Sequence, residues 1–151
     1  MESHWLYKGS LLETVPDNIH GFVYLILNKI NDKKYIGRKY FHSTRRVKKK
    51  GTTRRKIIRK ESDWKQYVGS SKSLLIDIEK YGKENFTFHI LTFGETKGQV
   101  NYLEENLQHK FDVLTTRNTK GEKGFYNDSI GSRKFISIRI DESFLESIKL
   151  I

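Results

Sequence analysis

Residues 21–37 read Gly-Phe-Val-Tyr-Leu-Ile-Leu-Asn-Lys-Ile-Asn-Asp-Lys-Lys-Tyr-Ile-Gly, and this stretch decides the fold. Residues 21–27 form a continuous apolar run of strand-forming types, which is typical of a strand buried on both faces. Residues 28–32 supply turn-forming types, and residues 33–37 have the composition of a returning strand. The stretch therefore predicts a β-hairpin.

The segments after the hairpin predict two helices with a strand between them. Apolar residues recur at helical spacing in residues 71–81, and Gly82 stands at the expected stop position. Residues 85–93 alternate apolar and polar types, which indicates a third strand. A second helix is predicted from about Gly98 to Phe111. The residues expected on its inner face are Val100, Leu103, Leu107 and Phe111.

Helices grouped on a mostly antiparallel three-stranded sheet define an α+β fold. We expect residues 1–19 to form a peripheral lead-in and residues 20–132 to form the domain. A basic insertion at about residues 46–62 interrupts that domain, and the part near residues 44–50 is predicted to be helical. Residues 133–151 are expected to add a short strand, 133–140, and an amphipathic helix, 141–150.

The positive charge of the chain is concentrated in one segment. Residues 38–60 contain twelve Lys and Arg residues and no acidic residue. The rest of the chain has 17 basic and 18 acidic residues, so the net charge of +11 belongs to this segment. Such a block indicates contact with a polyanion, because each neutralised phosphate releases counterions. The alternative interpretation is a disordered, solubilising loop. Membrane binding is disfavoured, because the block lacks the aromatic and leucine face of an amphipathic anchor.

Several classes of site and location are disfavoured by composition. The chain has no cysteine, so disulfides and thiolate metal sites are excluded. No apolar stretch approaches the roughly 18 residues of a membrane span, and the N-terminus lacks the pattern of a secretory signal. We therefore expect a cytoplasmic protein.

Five residues are candidates for chemistry, although each also has a structural interpretation. Tyr24 and Tyr35 stand in strands, where tyrosines usually pack. Glu104 borders the apolar stripe of its helix, where a carboxylate is costly without a partner or a metal. Arg45 is one of many arginines, and Asn127 follows two aromatic residues in a turn-like position.

Together these residues resemble the GIY-YIG nuclease family. Residues 22–24 (Phe-Val-Tyr), followed across the hairpin by residues 35–37 (Tyr-Ile-Gly), resemble its signature. Arg45 stands about ten residues after the second tyrosine, where the family carries an arginine. Residues 103–107 (Leu-Glu-Glu-Asn-Leu) resemble the glutamate-bearing helix, and residues 125–127 (Phe-Tyr-Asn) resemble the terminal asparagine motif.

The resemblance covers residues 20–130. Residues 64–71 and 79–86 resemble the corresponding segments of phage-type members, several of which are homing or mobile endonucleases. The resemblance implies a small endonuclease that hydrolyses double-stranded DNA with one Mg²⁺ or Mn²⁺ ion per active site. It also implies the cytoplasm of a bacterial host, if a phage encodes the chain, and it leaves monomer and homodimer open.

The resemblance also implies roles for the candidate residues. Tyr24 would be the general base or its immediate relay, and Arg45 would stabilise the transition state through a two-point contact with phosphate. Glu104 would hold the metal ion, whose remaining ligands would be waters and phosphate oxygens. Tyr35 and Asn127 would orient water, phosphate or the other side chains.

The sequence departs from the family pattern in three places. The first motif keeps its tyrosine but lacks the glycine, and Gly21 lies just before it. Many members carry His or Tyr four residues after the arginine, where this chain has Lys49; either His42 takes over a nearby role, or the arrangement for proton transfer differs. Either Glu104 or Glu105 can be the metal ligand, and we favour Glu104 because Glu105 would lean towards solvent.

The residues predicted to contact DNA lie in the basic block and in the segment after it. They are Arg38, Lys39, Arg46, Lys48, Lys49, Lys50, Arg54, Arg55, Trp64, Lys65, Ser70, Ser71 and Lys72. Two further hypotheses stay open besides a homing or mobile endonuclease. One is a restriction-type or branched-DNA nuclease on the same scaffold, and the other is a basic nucleic-acid-binding module without catalytic activity.

Overall fold

A computed structural model describes residues 2–131, 133–134 and 142–149. The strands are β1 (Trp5–Tyr7), β2 (Ser10–Leu11), β3 (Gly21–Asn28), β4 (Lys34–Tyr40), β5 (His42–Lys48), β6 (Arg55–Glu61), β7 (Phe86–Gly94), β8 (Ser129–Ile130) and β9 (Arg133–Lys134). The α-helices are α1 (Lys72–Tyr81), α2 (Lys97–Lys110) and α3 (Glu142–Lys149).

The main sheet has the strand order β2-β1-β7-β3-β4. The β3–β4 hairpin is confirmed, and Tyr24 lies directly opposite Gly37 in its register. The α+β class is also confirmed, but the predicted count of three strands is wrong, because β1 and β2 extend the sheet. β1 runs parallel to β7, whereas the other neighbouring strands are antiparallel.

The segment predicted as a peripheral lead-in takes part in the core. Trp5 is fully buried, and its indole nitrogen donates a hydrogen bond of 2.6 Å to the backbone carbonyl of Trp64. The indole also lies 4.8 Å from the Tyr24 ring, centroid to centroid. The short strand β1 escaped prediction because three residues give too little periodicity to detect.

The two larger helices cover opposite faces of the sheet. α1 packs Leu74 against the face that carries Phe22 and Tyr24, while α2 packs against the face that carries Val23 and Ile36. Both helices are confirmed within one residue of their predicted ends.

The ends of α1 follow the capping chemistry of the sequence. The Ser71 hydroxyl accepts a hydrogen bond from the Leu74 backbone nitrogen, and Gly82 ends the helix at a φ of 88°. The expected inner face of α2 is partly wrong, since Phe111 is 46% exposed. Its buried residues are Val100, Glu104 and Gln108. The part-buried Leu103 and Leu107 pack against the same core, so the inward face of α2 combines the predicted apolar residues with two polar ones, Glu104 and Gln108.

The basic segment is a β-hairpin, so the helix predicted near residues 44–50 is wrong. β5 and β6 pair with each other from His42↔Glu61 to Lys48↔Arg55 and do not join the main sheet. A helix would stack like charges at i and i+4, whereas a ribbon spreads them along both faces. β-branched Thr44 and Val47 also favour strands. We call residues 42–61 the basic ribbon.

The C-terminal appendage is described only in part. The predicted strand over residues 133–140 is present at Arg133–Lys134, which pairs with β8, and residues 135–140 lie outside the described residues. The predicted terminal helix is confirmed as α3. None of the helices described here is long and apolar enough to cross a membrane.

Candidate active site

A cavity of about 780 Å³ opens beside β4, the edge strand of the main sheet. It is walled by β4, the start of α1, the polar face of α2 and the segment that follows Phe125. The predicted site residues in its lining are Tyr35, Arg38, Ser71, Lys72, Glu104 and Asn127. Side chains from both faces of the sheet meet here, because β4 is the edge strand of the sheet in the part of the chain that the structure describes.

Glu104 is 8% exposed and Glu105 is exposed, and the side chains of both line the cavity. The Arg38 guanidinium donates a hydrogen bond of 2.5 Å from Nη1 to Oε1 of Glu104. Burial raises the pKa of Glu104 above its ordinary value, and the charge of Arg38 opposes this rise. The predicted exposure of Glu105 is confirmed, but its carboxylate also reaches the cavity. The role of Glu104 as a metal ligand stays a prediction.

Three tyrosines meet behind the cavity. The ring centroid of Tyr24 lies 6.1 Å from that of Tyr35 and 6.1 Å from that of Tyr67. Tyr24 is 1% exposed, so only Tyr35 of this group reaches the cavity lining. Tyr67 was not among the predicted site residues. The signal that could have found it is the Tyr-Val-Gly-Ser sequence at residues 67–70, which repeats the tyrosine–glycine spacing of the hairpin.

The glycine of the hairpin motif leaves room for this cluster. A Cβ atom added at Gly37 would lie 2.5 Å from the Tyr24 hydroxyl oxygen and 2.9 Å from Cε1 of Tyr35. A Cβ atom at Gly69 would lie 3.5 Å from the same two rings, which is ordinary contact, and this residue has a φ of +88°. Gly37 is therefore required by close approach and Gly69 by its backbone conformation.

We expect Gly37→Ala to lower stability by about 1–3 kcal/mol, because the methyl group overpacks a closed cluster. Denaturant titration measures this loss. The control is Gly98→Ala, which adds the same methyl group on α2, where the nearest atom is the Thr96 hydroxyl oxygen at 4.0 Å. Equal stability of the two variants would contradict the close packing of the tyrosines.

Burial dominates the electrostatic environment of Tyr24. Burial raises the pKa of the Tyr24 phenol well above its ordinary value, and the neighbouring Tyr35 and Tyr67 raise it further. The pKa of Tyr35 is also raised by burial, although a hydrogen bond with Ser70 and the charge of Arg38 oppose the rise. Both phenols are therefore protonated at neutral pH in this arrangement.

Asn127 binds the backbone of the second tyrosine motif. Its Oδ1 accepts a hydrogen bond of 3.0 Å from the Ile36 nitrogen, and its Nδ2 donates one of 2.8 Å to the Ile36 carbonyl. The same carbonyl accepts a bond of 3.0 Å from Nε2 of Gln108. The side chain of Asn127 thus completes the edge of β4 in the manner of a neighbouring strand. It holds Tyr35 and Gly37 in place through their backbone.

Arg45 and His42 are not in this cavity. Both lie on β5, and Arg45 is exposed on the basic ribbon. His42 accompanies Tyr40 in the lining of a second cavity, and its Nδ1 lies 3.0 Å from Nη2 of Arg59. The arginine that the fold brings to Glu104 is Arg38, seven residues before Arg45 in the sequence.

The residues predicted to contact DNA fall into three groups. Arg38, Ser71 and Lys72 line the cavity, and Ser70 stands beside Tyr35. Six exposed cations lie on the ribbon and its turn: Arg46, Lys48, Lys49, Lys50, Arg54 and Arg55. The remaining three are turned towards protein to different extents, as described next.

Trp64 is fully buried in the core, so its predicted contact with DNA is wrong. Its indole nitrogen donates a 2.8 Å hydrogen bond to Oε1 of Glu61. Lys65 is half-buried beside it. Lys39 forms a 2.6 Å ion pair with Asp63 and lies 3.9 Å above the centroid of the Tyr67 ring. An isolated tryptophan next to basic residues is ambiguous in sequence, because the same residue type serves cores and nucleic-acid surfaces.

Comparison with known families gives one match. The sequence model of the family described as "Putative endonuclease segE, GIY-YIG domain" matches residues 5–130. The match begins at Trp5, in agreement with the place of β1 in the core. No curated protein and no solved structure is similar enough to count as a match.

Proposed function

The chain belongs to the GIY-YIG endonuclease family, and from this premise we propose that it is a metal-dependent enzyme that hydrolyses phosphodiester bonds of double-stranded DNA. Within that class we propose a phage-type homing or mobile endonuclease that acts in the cytoplasm of a bacterial host. The observation that carries the proposal is the meeting of Tyr35, Arg38 and Glu104 in one cavity. Binding alone does not require a buried carboxylate among these groups.

Phosphodiester hydrolysis needs an attacking water, compensation of charge on the pentavalent phosphate and a proton for the leaving oxygen. Arg38 is the cation placed to bind two phosphate oxygens within the cavity. Tyr35 is the phenol that contacts the reacting groups, and Tyr24 behind it is the relay. A raised pKa keeps a phenol protonated, so Tyr35 donates a hydrogen bond or a proton.

The donor set of the cavity suits a hard divalent cation. Glu104 lines it together with the carboxylates of Glu105 and Asp128, and oxygen ligands are those that Mg²⁺ and Mn²⁺ prefer. Among the described residues, no three acidic or histidine side chains converge tightly enough to form a complete cage. Glu104 would therefore hold the ion as its principal protein ligand. When bound, the ion would supply a more acidic water and neutralise phosphate charge.

Arg38 determines whether Glu104 is available to a metal ion. Its guanidinium contacts Oε1 of Glu104, so a cation at this carboxylate must share the site with Arg38 or displace it. A phosphate in the cavity offers Arg38 an alternative anionic partner. Binding of phosphate to Arg38 would then free Glu104 for the metal ion, and binding of the metal ion to Glu104 would free Arg38 for phosphate.

The direct test is cleavage of supercoiled plasmid by the purified full-length chain. We expect nicked and linear products with Mg²⁺ or Mn²⁺ and intact plasmid with a chelator. Intact plasmid under both metals over a range of pH would favour the non-catalytic binding module instead. If plasmid stays intact while branched junctions are cut, the branched-DNA alternative replaces the homing role.

A further inference from the structure

The basic ribbon is built as an unsupported two-stranded arm. Every residue of β6 is exposed, and neither ribbon strand pairs with the main sheet. The ribbon holds ten Lys and Arg residues and one acidic residue, Glu61. An isolated hairpin is marginally stable in water, and a charge excess of this size adds self-repulsion. Both features indicate that the ribbon is stabilised by binding a polyanionic partner, which would offset its positive charge.

The ribbon has two distinct faces, because directly paired residues of an antiparallel pair point to the same side. The register assigns residues to each face. The inner face carries His42, Thr44, Arg46 and Lys48 with their partners Glu61, Arg59, Ile57 and Arg55. The outer face carries Ser43, Arg45 and Val47 with their partners Lys60, Ile58 and Lys56.

The inner face is continuous with the candidate active site. At the root of the ribbon, a cavity of about 1100 Å³ is lined by His42, Thr44 and Arg59 of the inner face and by Ser43 of the outer face. Tyr40 lines the same cavity, and its hydroxyl donates a hydrogen bond to Oδ1 of Asn101. Asn101 in turn lines the cavity that contains Glu104. A single path of polar side chains thus leads from the cavity that contains Glu104 to the inner face.

The dimensions of the ribbon match one groove of B-form DNA. Each strand has seven residues, which gives a length of about 23 Å and a span of about seven base pairs. A two-stranded ribbon fits the major groove, about 12 Å wide, without deforming the DNA, whereas the minor groove, about 6 Å wide, admits a ribbon only when it is widened. The inner face also exposes an apolar side chain, since Ile57 is 61% exposed. Apolar contact with thymine methyl groups is a major-groove interaction.

Resting on the proposed DNA substrate, we propose that the basic ribbon lies in the major groove beside the cleaved phosphate. Its inner face meets the base edges, with Arg46 and Ile57 at the centre. Its outer face is turned to solvent. The ribbon therefore contributes to the choice of cleavage position, beyond the sequence-independent attraction of its charge for phosphates.

The test compares two matched double variants of the full-length chain. R55A/I57A removes one cation and one isoleucine from the inner face, and K56A/I58A removes the same from the outer face. Binding to a short DNA duplex is measured by fluorescence anisotropy in a chelator, so that no cleavage occurs. We expect the dissociation constant to rise at least about tenfold for the inner variant and to stay within about twofold for the outer one. Equal losses would show that the two faces of the ribbon contribute alike to binding and would overturn the proposal.

The groove itself is identified with dimethyl sulfate, which methylates guanine N7 in the major groove and adenine N3 in the minor groove. Bound wild-type protein should protect guanine N7 and leave adenine N3 reactive, and the inner variant should lose this protection. Protection of adenine N3 instead would contradict the proposal. An RNA duplex of the same sequence has a major groove too narrow for the ribbon, so equally tight RNA binding would also overturn it. Plasmid cleavage by wild-type protein tests the proposed function separately.

Discussion

Glu104→Gln should abolish plasmid cleavage, with a loss of at least about a thousandfold, the scale expected when a metal ion and its charge stabilisation are lost together. Glutamine keeps the size and hydrogen-bonding capacity of the buried side chain but removes its negative charge. Arg38 then loses its ionic partner and is released to bind phosphate. DNA affinity measured in a chelator should therefore be equal to that of wild type or higher.

Glu105→Gln is the matched control on the same helix. Glu105 is exposed and lies close to Gly131. A Cβ atom added at that glycine would be 2.8 Å from Oε1 of Glu105. We expect it to retain cleavage within a few fold of wild type. If Glu105→Gln is inactive and Glu104→Gln is active, the metal ligand is Glu105. If both variants cleave normally, the metal-binding assignment fails altogether.

The parts of the fold that sequence predicted are those in which local and tertiary preferences agree. The apolar side chains of residues 21–27 are removed from water only if both faces of the strand are buried. β3 meets this requirement, because it lies between two strands with a helix on each side of the sheet. Ser71 and Gly82 fix the ends of α1 by local capping chemistry. Such signals survive folding because no distant contact competes with them.

The basic ribbon escaped prediction because its secondary structure depends on cross-strand pairing. Lys and Arg have good helix propensity, so the composition of residues 44–50 favours a helix locally. Pairing with Arg55–Glu61 overrides that preference, and a single sequence does not reveal which distant segment will pair. The apolar stripe of α2 is confirmed for Val100, Leu103 and Leu107 and is wrong only at Phe111, the residue that ends the helix.

The sequence predicted the types of residue in the candidate site better than it predicted their arrangement in space. The motif spacing located Tyr35, Glu104 and Asn127, all of which line one cavity. Spacing also selected Arg45, which the β5–β6 pairing carries onto the ribbon. Arg38 follows Gly37 directly on β4, where alternation turns it towards α2 and Glu104. A spacing of about ten residues from Tyr35 gives the position of an arginine in space only when the structure of the intervening residues is known.

We expect opposite results when Arg38 and Arg45 are each replaced by lysine. Arg38→Lys keeps the positive charge beside Glu104 but loses the planar two-point contact with phosphate. We expect it to lower the cleavage rate by at least about a hundredfold, the scale for removing one preorganised donor. DNA affinity should change little, because the number of cations is the same.

Arg45→Lys should cleave within a few fold of wild type, since an exposed arginine on the outer face of the ribbon contacts phosphate, if at all, as a point charge. Single-turnover kinetics at saturating enzyme separate this chemical effect from binding for both variants. The reverse result, an inactive Arg45→Lys and an active Arg38→Lys, would mean that the ribbon folds over the cavity when DNA binds and delivers Arg45 to the phosphate. Arg38 would then serve only to hold Glu104. The pair of variants therefore decides which arginine stabilises the transition state, and it does so without altering the net charge of the protein.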